Sequence, residues 1–359
     1  MHTRSRRLLA PLLAAGCVVA AAGCSDDNNT RAGADTGVSA NDENQCESID
    51  LADAPDEPVT IRLGHGAAAE EQVWLMAANP DIGEYDGVWY ELEMRQFRGN
   101  EERFVAYQAG ELDAVTSSAP TLVSAVSSGV DVSAVASISQ EAADGEFRTT
   151  YVALEGSGIE SPEDLEGKTI GIVDIGSATD YWAKTAVASA GLDFESDAEY
   201  VVLPFPAQEE ALRNGSIDVA VMVEPFYTMA MEQGGLVEVF DSLTGPGFDQ
   251  ELISLAFDNT FREENPGVVC AYLADLQAAT EWYLENEDEA KQILVDEGYV
   301  STPIEVYQAA GDWLRDPDAT IDVDRLDELI DSMIEYGVLQ EDQRVPAEQL
   351  VAGDTAPTA

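Results

Sequence analysis

Lysine is almost missing from this chain. Lys168, Lys184 and Lys291 are the only three, and with the arginines they make 17 cations against 70 Asp and Glu, a formal net charge of −53. A field of that sign repels polyanions, so nucleic acid is not expected as a partner. An acid excess with so little lysine also points to a high-salt setting, where mobile ions screen the self-repulsion. Histidine is limited to His2 and His65. No histidine–carboxylate cluster with metal-site spacing and no Gly-x-Ser-x-Gly elbow occurs, so neither a metal, a cofactor nor catalysis is expected. Past the N-terminus no segment is long and apolar enough to span a bilayer. Cysteine is down to Cys17, Cys24, Cys46 and Cys270.

What is present begins with Arg4, Arg6 and Arg7 before an uncharged run from Leu8 to Gly23. At about 1.5 Å per residue this run falls short of the roughly 30 Å hydrocarbon core, so it reads as a signal peptide over 1–23. Its end, Ala21-Ala22-Gly23-Cys24, resembles a bacterial lipobox, and Cys24 opens directly into Ser25-Asp26-Asp27. Cys17 is followed by Val18 and Val19, so Cys24 is the better lipid anchor. Ser5-Arg6-Arg7-Leu8-Leu9 also looks like a twin-arginine signal, which leaves the export route open. Residues 24–57, rich in Asp, Asn, Ala, Gly and Ser, read as a solvated acidic tether. In an exported protein Cys46 and Cys270 could pair.

From Val59 onward strands alternate with helices, which argues for doubly wound parallel sheets. Ala106, Gly110, Asp113 and Pro120 recur 105 residues later as Ala211, Gly215, Asp218 and Pro225. Twice, then, a helix stops at glycine, an apolar strand starts near aspartate, and proline opens the next element. Two similar lobes follow from that repeat. Between the copies, the stretch Tyr151 to Gly191 holds a strand, the loop Asp174-Ile175-Gly176 and a helix starting near Ser177. Such a helix start offers unpaired N–H groups to an anion.

Tyr107-Gln108-Ala109-Gly110-Glu111-Leu112-Asp113, Gly156-Ser157-Gly158-Ile159 with Asp164-Leu165-Glu166-Gly167-Lys168, Ala211-Leu212 through Gly215 and Asp218, and Glu224-Pro225 stand in a specific order. In that order the chain resembles the solute-binding subunits of ABC importers for nitrate, sulfonate, taurine and thiamine precursors, of the periplasmic binding protein type II fold. The resemblance covers roughly 58–345. It implies an α/β fold of two doubly wound lobes joined by two hinge crossings, near Thr149 to Leu154 and Ile253 to Phe257. The expected segments are lobe 1 over 58–150, lobe 2 over 151–252, a return to lobe 1 over 253–350, and a tail from 351. It implies a monomeric binding protein at the outer face of the membrane, lipid-anchored or periplasmic. Its expected partners are a small solute, a permease and an ATPase, and the favoured solute is a sulfonate or taurine. Nitrate, a pyrimidine precursor of thiamine, and a role as solute sensor stay open as alternatives. An enzyme on the same fold, a pyrimidine synthase, depends on several histidines, whereas this chain has only His65 past the leader.

The cleft of such a fold lies at the C-terminal ends of its strands. That selects Gly64, His65 and Gly66; Ser117 and Ser118; Gly176, Ser177, Ala178, Thr179 and Asp180; and Glu224 with Phe226. The hydroxyls and helix-terminal amides suit a sulfonate, and Glu224 suits an ammonium. Ser177-x-x-Asp180 is equally a helix-capping pair, and His65 is either a turn residue or a contact. Trp74, Trp89 and Trp182 are assigned to the core, Tyr181 and Phe226 to the cleft wall.

Overall fold

The computed structural model describes residues 44–353. The expected leader, Cys17 and Cys24 lie outside the described residues. Lobe 1 opens with β1 (Val59–His65), α1 (Glu71–Ala78), β2 (Tyr90–Gln96), α2 (Asn100–Gln108), β3 (Ala114–Ser118), α3 (Ala119–Ser127) and β4 (Val132–Glu141). Lobe 2 holds β5 (Thr150–Leu154), β6 (Lys168–Ile172), α4 (Ala178–Ser189), β7 (Ala198–Val202), α5 (Phe205–Arg213), β8 (Val219–Met222), α6 (Phe226–Gln233) and β9 (Leu236–Asp241). The chain returns through β10 (Gln250–Asp258), α7 (Asn259–Glu264), α8 (Pro266–Glu285), α9 (Glu287–Asp296), α10 (Ile304–Ala309) and α11 (Val323–Glu335).

The strands form two five-stranded sheets ordered β2-β1-β3-β10-β4 and β7-β6-β8-β5-β9. Position for position the orders correspond, β1 with β6, β3 with β8, β10 with β5. The repeat is the local cause. Arg62 N–H donates to Asp113 Oδ2 at 2.9 Å and Thr169 N–H donates to Asp218 Oδ2 at 2.9 Å. Each aspartate therefore pins the start of its strand to the neighbouring one. Gly110 and Gly215 end their helices at φ of 73° and 76°, a left-handed conformation that costs an L side chain energy.

Three differences from expectation are physical. The sheets are mixed rather than parallel, because β10 and β5, the strands arriving from the opposite lobe, run antiparallel to both neighbours. Since β4 ends at Glu141 and β5 begins at Thr150, while β9 ends at Asp241 and β10 begins at Gln250, the crossings between sheets occupy 142–149 and 242–249. They lie ahead of the expected Thr149 to Leu154 and Ile253 to Phe257, which, Thr149 apart, belong to strands β5 and β10. The tether ends sooner, too. Cys46 is buried and bonded to Cys270 of α8, with Sγ–Sγ 2.00 Å and Cα–Cα 5.4 Å, and Leu51 accepts the indole N–H of Trp89 on its carbonyl. At the far end Val351 bridges to Ala134 of β4, and the Ala352 amide donates to the Ala134 carbonyl, so 351–353 pack on the fold as well.

The helical stripes pack as their spacing requires. Tyr272, Leu276, Ala279 and Tyr283 of α8 are buried, as are Leu326, Ile330 and Met333 of α11. Both crossings meet at one buried carboxylate, Glu141 at the end of β4. It accepts from Thr149 N–H and Oγ1, from Ser242 Oγ at 2.6 Å and from Trp313 Nε1 at 3.1 Å.

Glu251 of β10 is a buried carboxylate that accepts from Ser137 Oγ, at 2.7 Å, and from Gln140 Nε2, with the Asp322 amide as a further donor. Burial pushes its pKa up to about 8 from the ordinary 4.5. The folded protein thus holds this proton more tightly than the unfolded chain, a contribution complete below pH 4.5 and lost as pH rises through 8. Urea midpoints should fall for the wild type between pH 5 and pH 8, and Glu251→Gln should flatten that slope; equal slopes for the two proteins would contradict this assignment.

Candidate functional site

The loop after β6 and the first turn of α4 build one wall of a cavity. Ser177 is the N-cap of α4 and accepts the Asp180 N–H at 3.5 Å. Its hydroxyl donates to the Asp174 carbonyl at 2.7 Å, while Thr179 Oγ1 accepts the Val173 N–H and lies 2.9 Å from Ser177 Oγ. A hydroxyl has one proton. With Ser177's given to Asp174 and Thr179's to Ser177, both are spent inside the loop, so these two side chains cap their own helix. The amides of Ala178 and Thr179 remain, and they find no acceptor among the described residues.

The facing wall comes from lobe 1. Glu70, fully buried, takes the Gly66 N–H at 3.0 Å and the Thr116 hydroxyl at 2.9 Å. A Cβ on Gly66 would lie 2.6 Å from Glu70 Oε1 and 2.8 Å from Arg103 Nη2, so a side chain there would have to displace this pair. Arg103, 3% exposed, sits 3.9 Å from Glu70 and donates to the carbonyl and hydroxyl of Thr116, but its Nε has no acceptor among the described residues. Burial raises the Glu70 pKa against the pull of Arg103 and lowers that of Arg103. Arg98, beside this pair in the wall, gives its backbone N–H to Glu102 at 3.4 Å, but its guanidinium forms no ion pair among the described residues despite the 70 acids in the chain.

These walls enclose about 80 Å³, several times what a single water needs. The rest of the lining mixes the polar Asn100, Ser118 and Thr149 with an apolar side made by Trp182, Phe205, Trp313, Val173, Val223 and Leu252. Both indoles are anchored at the crossings, Trp182 Nε1 to Gln250 Oε1 at 3.1 Å and Trp313 Nε1 to Glu141. A second, larger cavity of about 610 Å³ adjoins it and shares Ala67, Arg98 and Phe205 as wall.

Of the residues selected from the sequence, Gly66, Ser118, Ser177, Ala178 and Thr179 meet at the first cavity. Glu224 and Phe226 line the second, where Glu224 accepts from Thr228 N–H and Oγ1 and burial raises its pKa. The others stand outside both. Gly64 packs against Leu112 and Phe97, and Ser117 Oγ turns to the Ser118 carbonyl. His65 accepts the Trp74 indole N–H at 3.1 Å, and burial lowers its pKa to about 4, so it is neutral at pH 7. Asp180 binds the Gly176 amide at 2.8 Å and Lys184 at 2.7 Å. Tyr181, expected in the cleft wall, is buried against Ser332 at 2.6 Å, and its neighbour Trp182, expected in the core, lines the cavity instead. Adjacent helical residues point about 100° apart, so a small error in helix phase exchanges them. Arg98, Asn100, Arg103, Phe205, Leu252 and Trp313 were not foreseen. Arg98 and Asn100 follow the C-terminal end of β2 and Phe205 that of β7, so the rule that selected Ser118 reaches them as well.

Comparison with known proteins fits this architecture. The bicarbonate-binding protein CmpA of Synechococcus is 24% identical over 132 residues, which is 36% of this chain and 29% of the relative. The aliphatic sulphonate binding protein SsuA from Escherichia coli superposes with a TM-score of 0.66 at 17% identity, over 84% of this chain and 94% of that one. The alkanesulfonate-binding protein SsuA from Xanthomonas axonopodis, bound to MOPS, gives 0.68 at 16% identity over 83% and 99%. The nitrate-binding protein NrtA from Synechocystis gives 0.66 at 14% identity over 84% and 88%. At such identities what is shared is the periplasmic binding protein fold. Residues 54–295 match the model of one family across two thirds of the chain, and the chain therefore belongs to the NMT1-like family.

Proposed function

We propose that this chain is the extracytoplasmic solute-binding subunit of an ABC importer, and that its solute is a small organic sulfonate. One observation carries the choice of solute: the cavity gathers its donors, the Ala178 and Thr179 amides with Arg98 and Arg103, beside an apolar wall of Trp182, Trp313 and Phe205. Nitrate or bicarbonate, the solutes of relatives, would leave that wall facing an ion with nothing apolar to cover. An alkanesulfonate matches both parts. Taurine is disfavoured, because Glu224, the expected partner of its ammonium, lines the neighbouring cavity. The solute acts by favouring the closed arrangement of the lobes through its better contacts there, and that arrangement is what a permease would receive. Lipidation at Cys24, a monomeric state, a place at the outer face of the membrane and adaptation to high salt belong to the same proposal, the last supported by the net charge of −53.

A thermal-shift panel in dilute buffer and in molar NaCl tests it. Salt alone should raise the melting temperature. Within each buffer alkanesulfonates should raise it further than nitrate, bicarbonate or a pyrimidine, and Arg98→Gln should weaken sulfonate binding about 10- to 100-fold, the worth of a hydrogen bond to a charged group. A response to the pyrimidine with none to any sulfonate would sink the choice of solute.

A further inference from the structure

Helix α2 has no cap of its own. Its N-cap residue is Gly99, without a side chain to accept the first-turn amides. The missing acceptor comes from the other lobe: Asp174, in the loop between β6 and α4, accepts the Asn100 N–H at 2.7 Å and also serves the Glu101 amide. The fit is close enough to constrain the sequence on both sides. A Cβ on Gly99 would lie 2.2 Å from Asp174 Oδ2. Nearby, Thr121 of α3 donates to the Gly176 carbonyl at 3.4 Å, a second bond across the same rim. Gly99 and Asn100 line the cavity, so this contact sits at its edge.

We infer that Asp174 is a clasp: a helix cap supplied across the cleft, which holds the two lobes closed and must be broken for a solute to enter or leave. Opening the cleft strips α2 of its acceptor and leaves the carboxylate to solvent, so the closed form is favoured by the worth of one N-cap. Caps of this kind are worth roughly a 3- to 30-fold change in an equilibrium, and apparent solute affinity scales with the closed fraction. The clasp also explains why the loop 174–177 keeps its own hydroxyls engaged internally: a rigid loop delivers the carboxylate to a fixed place.

The test compares the full chain with Asp174→Ala, Asp174→Asn and Gly99→Ala by small-angle X-ray scattering without solute, and by titration with an alkanesulfonate. Asp174→Ala should enlarge the radius of gyration and weaken the sulfonate about 3- to 30-fold. Asn is nearly as good an N-cap as Asp, so Asp174→Asn should stay close to wild type. Gly99→Ala keeps the carboxylate but blocks its seat, and should behave like Asp174→Ala. Wild-type scattering from both Asp174→Ala and Gly99→Ala overturns the clasp, and so does a loss of affinity without any change in scattering, which would make Asp174 a direct contact of the solute. The affinity arm rests on the proposed solute, but the scattering arm does not. Altered scattering with no sulfonate binding in any variant would remove that solute and leave the clasp standing.

Discussion

Reducing the Cys46–Cys270 bridge should lower the stability of the protein by up to about 5 kcal/mol. The bond joins residues 224 apart in sequence, and in the chain-entropy account a loop of that length restricts the unfolded state by roughly 5 kcal/mol, an upper limit for a denatured chain that stays compact. The folded state adds a local reason. Cys46 is buried in the cluster that includes Tyr272, Leu276 and Val269 of α8, and the bond pins residues 44–57 to that helix. At about 2 °C per kcal/mol for a domain of this size, melting should fall by roughly 10 °C on adding reductant or in the Cys46→Ser, Cys270→Ser double variant. Limited proteolysis should then cut near Leu51. A shift under one degree would mean that the segment is held by packing alone.

Arg315→Met should cost about 3–5 kcal/mol, for a different reason. The Arg315 side chain is 0% exposed and pairs with Glu71 at 2.5 Å and Asp312 at 2.8 Å, while Gln72 Oε1 and the Ile138 carbonyl accept its remaining donors. Burial works against the charge, but the two carboxylates hold the guanidinium protonated well above its ordinary range, and burial still leaves Glu71 raised. Methionine of similar length would leave two carboxylates buried without a cation, the costly way to break a buried pair. Adding Glu71→Gln and Asp312→Asn should recover a good part of the loss. The exposed pair of Arg344 with Asp331 is the control, and Arg344→Met should cost less than 1 kcal/mol in urea denaturation. Equal costs at the two sites would show that burial does not decide the worth of these pairs.

Much of the fold was legible because it rests on short-range signals. Gly110 with Asp113, and Gly215 with Asp218, are separated by three residues and act on the neighbouring strand, so their repetition announces two similar sheets. The lining of the candidate cavity was legible where it follows strand ends, at Gly66, Ser118 and Ala178. It was lost where contacts are long-range. Trp313 stands between α10 and α11 and lines the cavity with its indole held by Glu141, 172 residues earlier. The burial of Cys46 depends in the same way on α8, more than two hundred residues on. Whether Ser177 and Thr179 cap or bind turned on counting protons in a loop whose geometry the sequence does not contain.

The matching strand order of the two sheets bears on how so acidic a protein would hold the anion proposed for it. Because each lobe presents strand ends followed by helix starts, the cavity is met by the beginnings of α2, α3 and α4, at Asn100, Ser118 and Ala178; the Asp174 carboxylate takes up the first, which leaves the starts of α3 and α4 to the cavity. Each helix start carries the equivalent of about half a positive charge in its peptide dipoles. Those charges are part of the backbone, so they neither titrate nor depend on lysine. Sheltered from solvent, they also escape most of the screening that molar salt imposes on surface ions. Attraction for the proposed anionic solute would thereby be written into the topology, leaving the surface free to carry whatever charge its surroundings demand.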